Sequence, residues 1–168
     1  MFVFKIDISI HFCPRRNLIN PDQSMFSKTF GYALRATIYV ALHGKDGKKV
    51  SLQELSQRLD IPYHFLGKIM QDLVRHGIFD SIKGPSGGFY ANAATPGTHL
   101  IDILKITDGS LVFSQCALGL KRCNAEYPCP LHNDFATCRN GMLHALSLKT
   151  VGILAEGVEE EWTFLVRK

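Results

Sequence analysis

Residues 116–132, CALGLKRCNAEYPCPLH, hold three cysteines and a histidine in seventeen positions of a 168-residue chain that has five cysteines altogether. Thiolates are soft ligands, so Cys116, Cys123 and Cys129 with His132 suit an iron–sulphur cluster or a closed zinc site equally well. A disulfide framework suits them poorly. The cysteine count is odd and the chain reads as cytoplasmic, where thiols stay reduced. A thiol nucleophile would need a base and an oxyanion site beside the sulphur; the sequence shows no such constellation, so no catalytic residue and no enzyme activity is expected. Cys138 is nine residues past Cys129, half a revolution away on a continuous helix and inside an apolar seam, and reads as packing. Cys13 lies in a stretch with no helical period and is set aside, and His43, His76 and His99 receive no role.

The elements that must position this loop are bounded by length and composition. The chain is long enough for one well-packed core, and 46% hydrophobic against 20% charged residues excludes a disordered or fibrous chain. A net charge of +4 permits a polyanionic partner without requiring one. No apolar run reaches membrane-spanning length, and Lys5 and Asp7 interrupt the first residues too early for a signal peptide, so no membrane partner is expected. Residues 1–24 are read as a leader outside the fold, either a disordered extension or an upstream misreading of a start at Met25.

From Met25 the pattern is helical. Phe30, Ala33, Leu34, Thr37, Ile38 and Ala41 share one face, and Gly44 ends the run. After the basic turn GKDGKK, Ser51 and Glu54 form a capping-box pattern ahead of a short helix over 52–59. Pro62 then stands at the expected first position of a longer helix that buries Phe65, Leu66, Ile69, Met70, Leu73 and Val74. Two helices joined by about three residues make a helix-turn-helix. On the opposite face His64, Lys68, Gln71 and Arg75 recur at helical spacing, next to Tyr63. The segment IFDSIKGPSGGFYAN reads as a hairpin whose glycines admit a sugar-phosphate backbone and whose Lys83 and Ser86 supply charge and hydroxyl. It lacks the Gly-Lys-Ser/Thr ending of a nucleotide loop.

Between Lys28 and Lys83 nine Lys/Arg face five Asp/Glu, whereas residues 156–161, EGVEEE, are acidic. The polarity places a DNA face on the first half, with Lys28, Ser51, Tyr63, His64, Lys68, Gln71, Arg75, Lys83 and Ser86 as its candidate contacts. THLIDILKITDG reads as a short helix. A long helix from about 130 then carries Leu131, Phe135, Cys138, Met142 and Ala145 in a heptad-like seam. Two recognition helices a turn of DNA apart read a two-fold operator, so the seam is expected to make a homodimer.

YALRA, SLQELSQRLDIP, FLGKIMQDLVRHGI, KGPSGGF and C-x6-C-x5-C-x2-H, in this order over about residues 25–150, resemble the Rrf-type winged-helix transcription regulators, the IscR/NsrR-like iron–sulphur family. The resemblance implies a homodimeric regulator whose operator binding is tuned by a cluster held by Cys116, Cys123 and Cys129. A fourth ligand just after the third cysteine matches His132, which favours [2Fe-2S] over [4Fe-4S]. The aspartate that other members take from the first helix of the partner subunit aligns with Gly31 here. The first cysteine interval is one residue longer than in the histidine-ligated members. Gly67 and Lys68 also stand where many relatives carry a base-reading glutamate, so the operator sequence does not transfer.

The expected architecture is mainly α with a small β-hairpin. Its parts are the leader 1–24, a winged helix-turn-helix DNA-binding domain over 25–95, and a cysteine-loop and dimerisation region over 96–168. The expected function is a cytoplasmic transcriptional regulator sensing redox state, iron or nitric oxide through the cluster. The alternative is a metal-free or zinc-stabilised winged-helix repressor.

Overall fold

A computed structural model describes residues 26–110 and 125–158. The first helix, α1 (Lys28–His43), starts at Ser27, whose hydroxyl accepts the Phe30 N–H at 3.0 Å, and ends at Gly44. It runs through the middle of the molecule. Besides the expected Phe30, Ala33, Thr37, Ile38 and Ala41, it also buries Ala36, Tyr39 and Val40, so its apolar contacts extend beyond a single stripe. Thr37 is fully buried and satisfies its hydroxyl on the Ala33 carbonyl at 2.8 Å, as a buried polar group must.

Helix α2 (Leu52–Leu59) is capped by Ser51, which accepts the Glu54 N–H at 3.1 Å. Only half of the expected capping box forms. The Glu54 carboxylate reaches across to α1 and accepts the Tyr39 hydroxyl at 2.8 Å. Asp60, Ile61 and Pro62 make the turn, with Asp60 in the left-handed region at φ 52°. Ser56 holds the turn by donating its hydroxyl to the Ile61 carbonyl at 2.6 Å. Helix α3 (Tyr63–Arg75) follows, with Pro62 as its cap rather than its first residue.

Leu66, Ile69, Met70 and Leu73 of α3 are buried as expected, but Phe65 is 43% exposed. Its ring meets Tyr32 edge-on at 5.8 Å, so it covers the side of α1 instead of entering the core. Strands β1 (Asp80–Ile82) and β2 (Gly88–Tyr90) pair antiparallel in the register Ser81↔Phe89. Val50 adds a third short rung through two 2.9 Å bonds with Phe89. Gly87 is required in the turn because a Cβ there would sit 2.2 Å from the Ile82 carbonyl oxygen.

Helix α4 (Leu100–Asp108) places Leu100, Ile103 and Leu104 in the core. The long helix from about 130 is two helices, α5 (His132–Leu148) and α6 (Val151–Val158). Between them Lys149 and Thr150 are extended. The Lys149 carbonyl accepts the Leu100 N–H at 3.1 Å, and the Val151 N–H donates to the Thr98 carbonyl at 2.9 Å. Gly152 permits this docking, since a Cβ would come within 2.9 Å of the Pro96 oxygen. Val151 and Ala155 then join the same buried cluster as α1, α2, α3 and α4. Each fully buried leucine in that cluster contributes roughly 1.5–3 kcal/mol.

Candidate nucleic-acid interface and cysteine loop

The apolar side of α3 is held in the core, so its other side is left to solvent. Tyr63, His64, Lys68, Gln71 and Arg75 are all exposed there. Tyr63 and His64 meet edge-on at 5.6 Å. Arg75 is engaged with the Asp72 carboxylate one turn back, a surface pair worth little on its own. Lys68 is a cation without a carboxylate on it among the described residues. The wing turn after β1 exposes Lys83 and Ser86. Val50 pairs with Phe89, which brings Ser51 alongside the strand leaving that turn. Lys28 opens α1, one turn before Tyr32 and therefore on the side of Phe65.

One residue missing from the expected contacts lies beside the wing. Lys49 Nζ stands 3.5 Å from the Ser86 carbonyl oxygen. The Val50–Phe89 pairing, between residues 39 apart, brings the basic turn to the wing, a contact no local pattern records.

Tyr39 and His43 meet at a tilt of 51°, 4.4 Å between centroids, on the α2 side of α1. Burial, and then the hydrogen bond to Glu54, push the Tyr39 hydroxyl up to about 12, while burial holds His43 below the usual imidazole range.

Of the four candidate metal ligands, Cys116 and Cys123 lie outside the described residues. Cys129 is partly exposed with a free thiol, and His132 opens α5. The His132 N–H donates to the Cys129 carbonyl at 2.9 Å, so thiol and imidazole belong to one turn. A soft thiolate and a borderline imidazole on one turn fit a cluster or a zinc ion. Among the described residues alone no group of three His, Cys, Asp or Glu converges on a metal position. Cys138 is exposed on α5, in the company of Leu131, 39% exposed, and Phe135, 49% exposed. Helix α5 buries none of its seventeen residues within the chain. No helix among the described residues is long and apolar enough to cross a membrane.

The family model Rrf2, described as iron-dependent transcriptional regulator, matches residues 26–157. A protein of Aquifex aeolicus named as an HTH-type transcriptional regulator is 30% identical over 146 residues, 86% of this chain and 99% of its own. The HTH-type transcriptional regulator IscR of Photorhabdus laumondii is 27% identical over 121 residues, 70% of this chain and 73% of its own. Among solved structures, CymR, the global cysteine regulator of B. subtilis, superposes with a TM-score of 0.65 at 22% identity over 80% of this chain and 98% of its own. The wing, the helix-turn-helix and the flanking helices are thus shared with transcriptional regulators. The chain belongs to the Rrf2 family of DNA-binding, winged-helix transcriptional regulators.

Proposed function

We propose that this regulator binds operator DNA as a homodimer in the cytoplasm, and that an iron–sulphur cluster held by Cys116, Cys123, Cys129 and His132 tunes the binding. The observation that carries the reading is that the His132 N–H is bonded to the Cys129 carbonyl at the start of α5, a helix with no fully buried residue within its own chain. A ligand-bearing loop is thereby joined to the foot of a helix whose apolar seam awaits a second copy. The family model's iron-dependent description supports iron over zinc. The histidine favours [2Fe-2S] over [4Fe-4S]. When bound, the cluster would supply redox and nitric-oxide reactivity that side chains lack.

In this reading His64, Lys68 and Gln71 enter the major groove, with Tyr63 and Arg75 flanking them. Lys28, Ser51, Lys83 and Ser86 hold phosphates, which fix register without reading sequence. Helices α4 and α6 both pack on α1, and α1 on α3, so a displacement at the α5 foot reaches the recognition helix through contiguous side chains. Coupling of this kind typically amounts to about 1–3 kcal/mol, several-fold to a hundred-fold in operator affinity. Oxygen-free purification followed by a visible spectrum and iron and sulphide analysis tests the cluster. A coloured protein with stoichiometric sulphide is expected, lost in Cys116→Ser, Cys123→Ser or Cys129→Ser and kept in Cys138→Ser. A colourless protein that takes up zinc and no sulphide, or no metal at all, would establish the zinc-stabilised or metal-free repressor instead.

A further inference from the structure

Three lysines, Lys45, Lys48 and Lys49, occupy the turn between α1 and α2, and the fold separates them. Asp46 at φ 55° and Gly47 at φ 75° reverse the chain, and the Lys48 N–H closes the turn on the Lys45 carbonyl at 3.0 Å. Val50 then enters its antiparallel bridge with Phe89. Residues before Val50 therefore run alongside the far end of β2. The Gly44 carbonyl accepts the Ala91 N–H there, at 2.9 Å, away from the wing turn.

Lys49 departs from this course. Its side chain turns back along the bridge until Nζ lies 3.5 Å from the Ser86 carbonyl, inside the wing turn. An ammonium has three donors, and this contact uses one. A carbonyl carries no formal charge, and among the described residues no carboxylate pairs with Lys49. Its positive charge is thus delivered to the wing uncompensated, on the same turn as Lys83 and Ser86.

We infer that Lys49 is a further DNA-contact residue of the wing: it holds the Ser86 carbonyl in place and presents its remaining donors to a backbone phosphodiester beside Lys83. The inference rests on the reading of this face as the DNA interface and adds a residue of the preceding turn to it. It also assigns the two neighbouring lysines, equal in charge and nearly equal in sequence position, no such contact.

The test is fluorescence anisotropy of a labelled mixed-sequence duplex across a salt series, with wild type, K49A, K49R, K48A and K83A. Each lost phosphate contact lowers the slope of log affinity against log salt by about one. K49A is expected to show that loss with a roughly three- to tenfold drop in affinity, K49R to restore both, and K48A to match wild type within about twofold. All variants should melt with wild type, since these side chains are exposed. A K49A slope equal to wild type overturns the inference even where affinity falls, because that pattern marks packing of the wing and not a phosphate contact. An equal slope loss in K48A overturns it too, since the effect would then be a diffuse field. Absence of salt-dependent binding in wild type, or a K83A slope equal to wild type, would strike the interface itself; salt-dependent wild-type binding with a reduced K83A slope isolates the failure to Lys49.

Discussion

Ser27 and Asp108 are joined across the molecule: the Ser27 hydroxyl donates to one oxygen of the Asp108 carboxylate and its backbone N–H to the other, at 3.3 Å. The same hydroxyl accepts the Phe30 N–H and so caps α1. Asp108 is the last residue of α4, eight positions before Cys116. The start of the central helix is thereby tied to the residue that leads towards the cysteine loop.

Removing that hydroxyl takes away a cap and a cross-link together. Ser27→Ala is expected to lower stability by about 1 kcal/mol, read as a shift in urea midpoint at constant m-value. Asp108→Asn keeps the cap and should cost less. A Ser27→Ala midpoint equal to wild type would show that the cap contributes nothing.

The Tyr39–Glu54 bond predicts a loss of stability at alkaline pH. Burial and Glu54 push the Tyr39 hydroxyl up to about 12, above the value of roughly 10 for an unfolded tyrosine. A raised folded-state value stabilises fully below pH 10 and is lost as pH rises through 12. Tyr39→Phe should flatten the stability curve between those limits while leaving the acid side unchanged. A variant that follows the wild-type curve over that range would remove Tyr39 as the cause.

On the proposed DNA face, Lys68→Ala and Lys83→Ala are each expected to weaken duplex binding and lower the salt slope by about one. Gly87→Ala should weaken binding through wing geometry alone, because its methyl would collide with the Ile82 carbonyl. Its salt slope therefore distinguishes a misplaced wing from a lost charge. Unchanged binding in both lysine variants would move the interface to another face.

Phe135 is half exposed on a helix with no buried residue, which calls for a partner. Phe135→Glu is expected to convert a dimer to a monomer in sedimentation velocity, with the helical circular dichroism of the DNA-binding half retained. A wild-type protein that sediments as a monomer over the full concentration range would contradict the seam's role.

Local signals carried much of the fold. The Ser51 cap, the α2 bounds, the end of α1 at Gly44 and the hairpin were legible because each depends on a few adjacent residues and a fixed period. The errors arose where a side chain had two possible partners. Glu54 matched a capping box, but Tyr39 from another helix took its carboxylate. Phe65 matched the apolar period, but it sits in the first turn of α3 where Tyr32 offers only an edge contact and solvent takes the rest.

The sequence by itself determined the elements, the outward polar face of α3, the spacing of the cysteines and the resemblance that the family match bears out. Helical period and chain-neighbour chemistry suffice for these. Tertiary structure alone decided that the last helical stretch breaks at Lys149 and Thr150. Hydrogen bonds from the Val151 N–H to the Thr98 carbonyl and from the Leu100 N–H to the Lys149 carbonyl replace helix continuation there, and α6 returns to the common core. It also decided that Lys49 of the GKDGKK turn reaches the wing, and that Ser27 meets Asp108. Those contacts join residues tens of positions apart, and no local pattern records which distant partner a folded chain brings near.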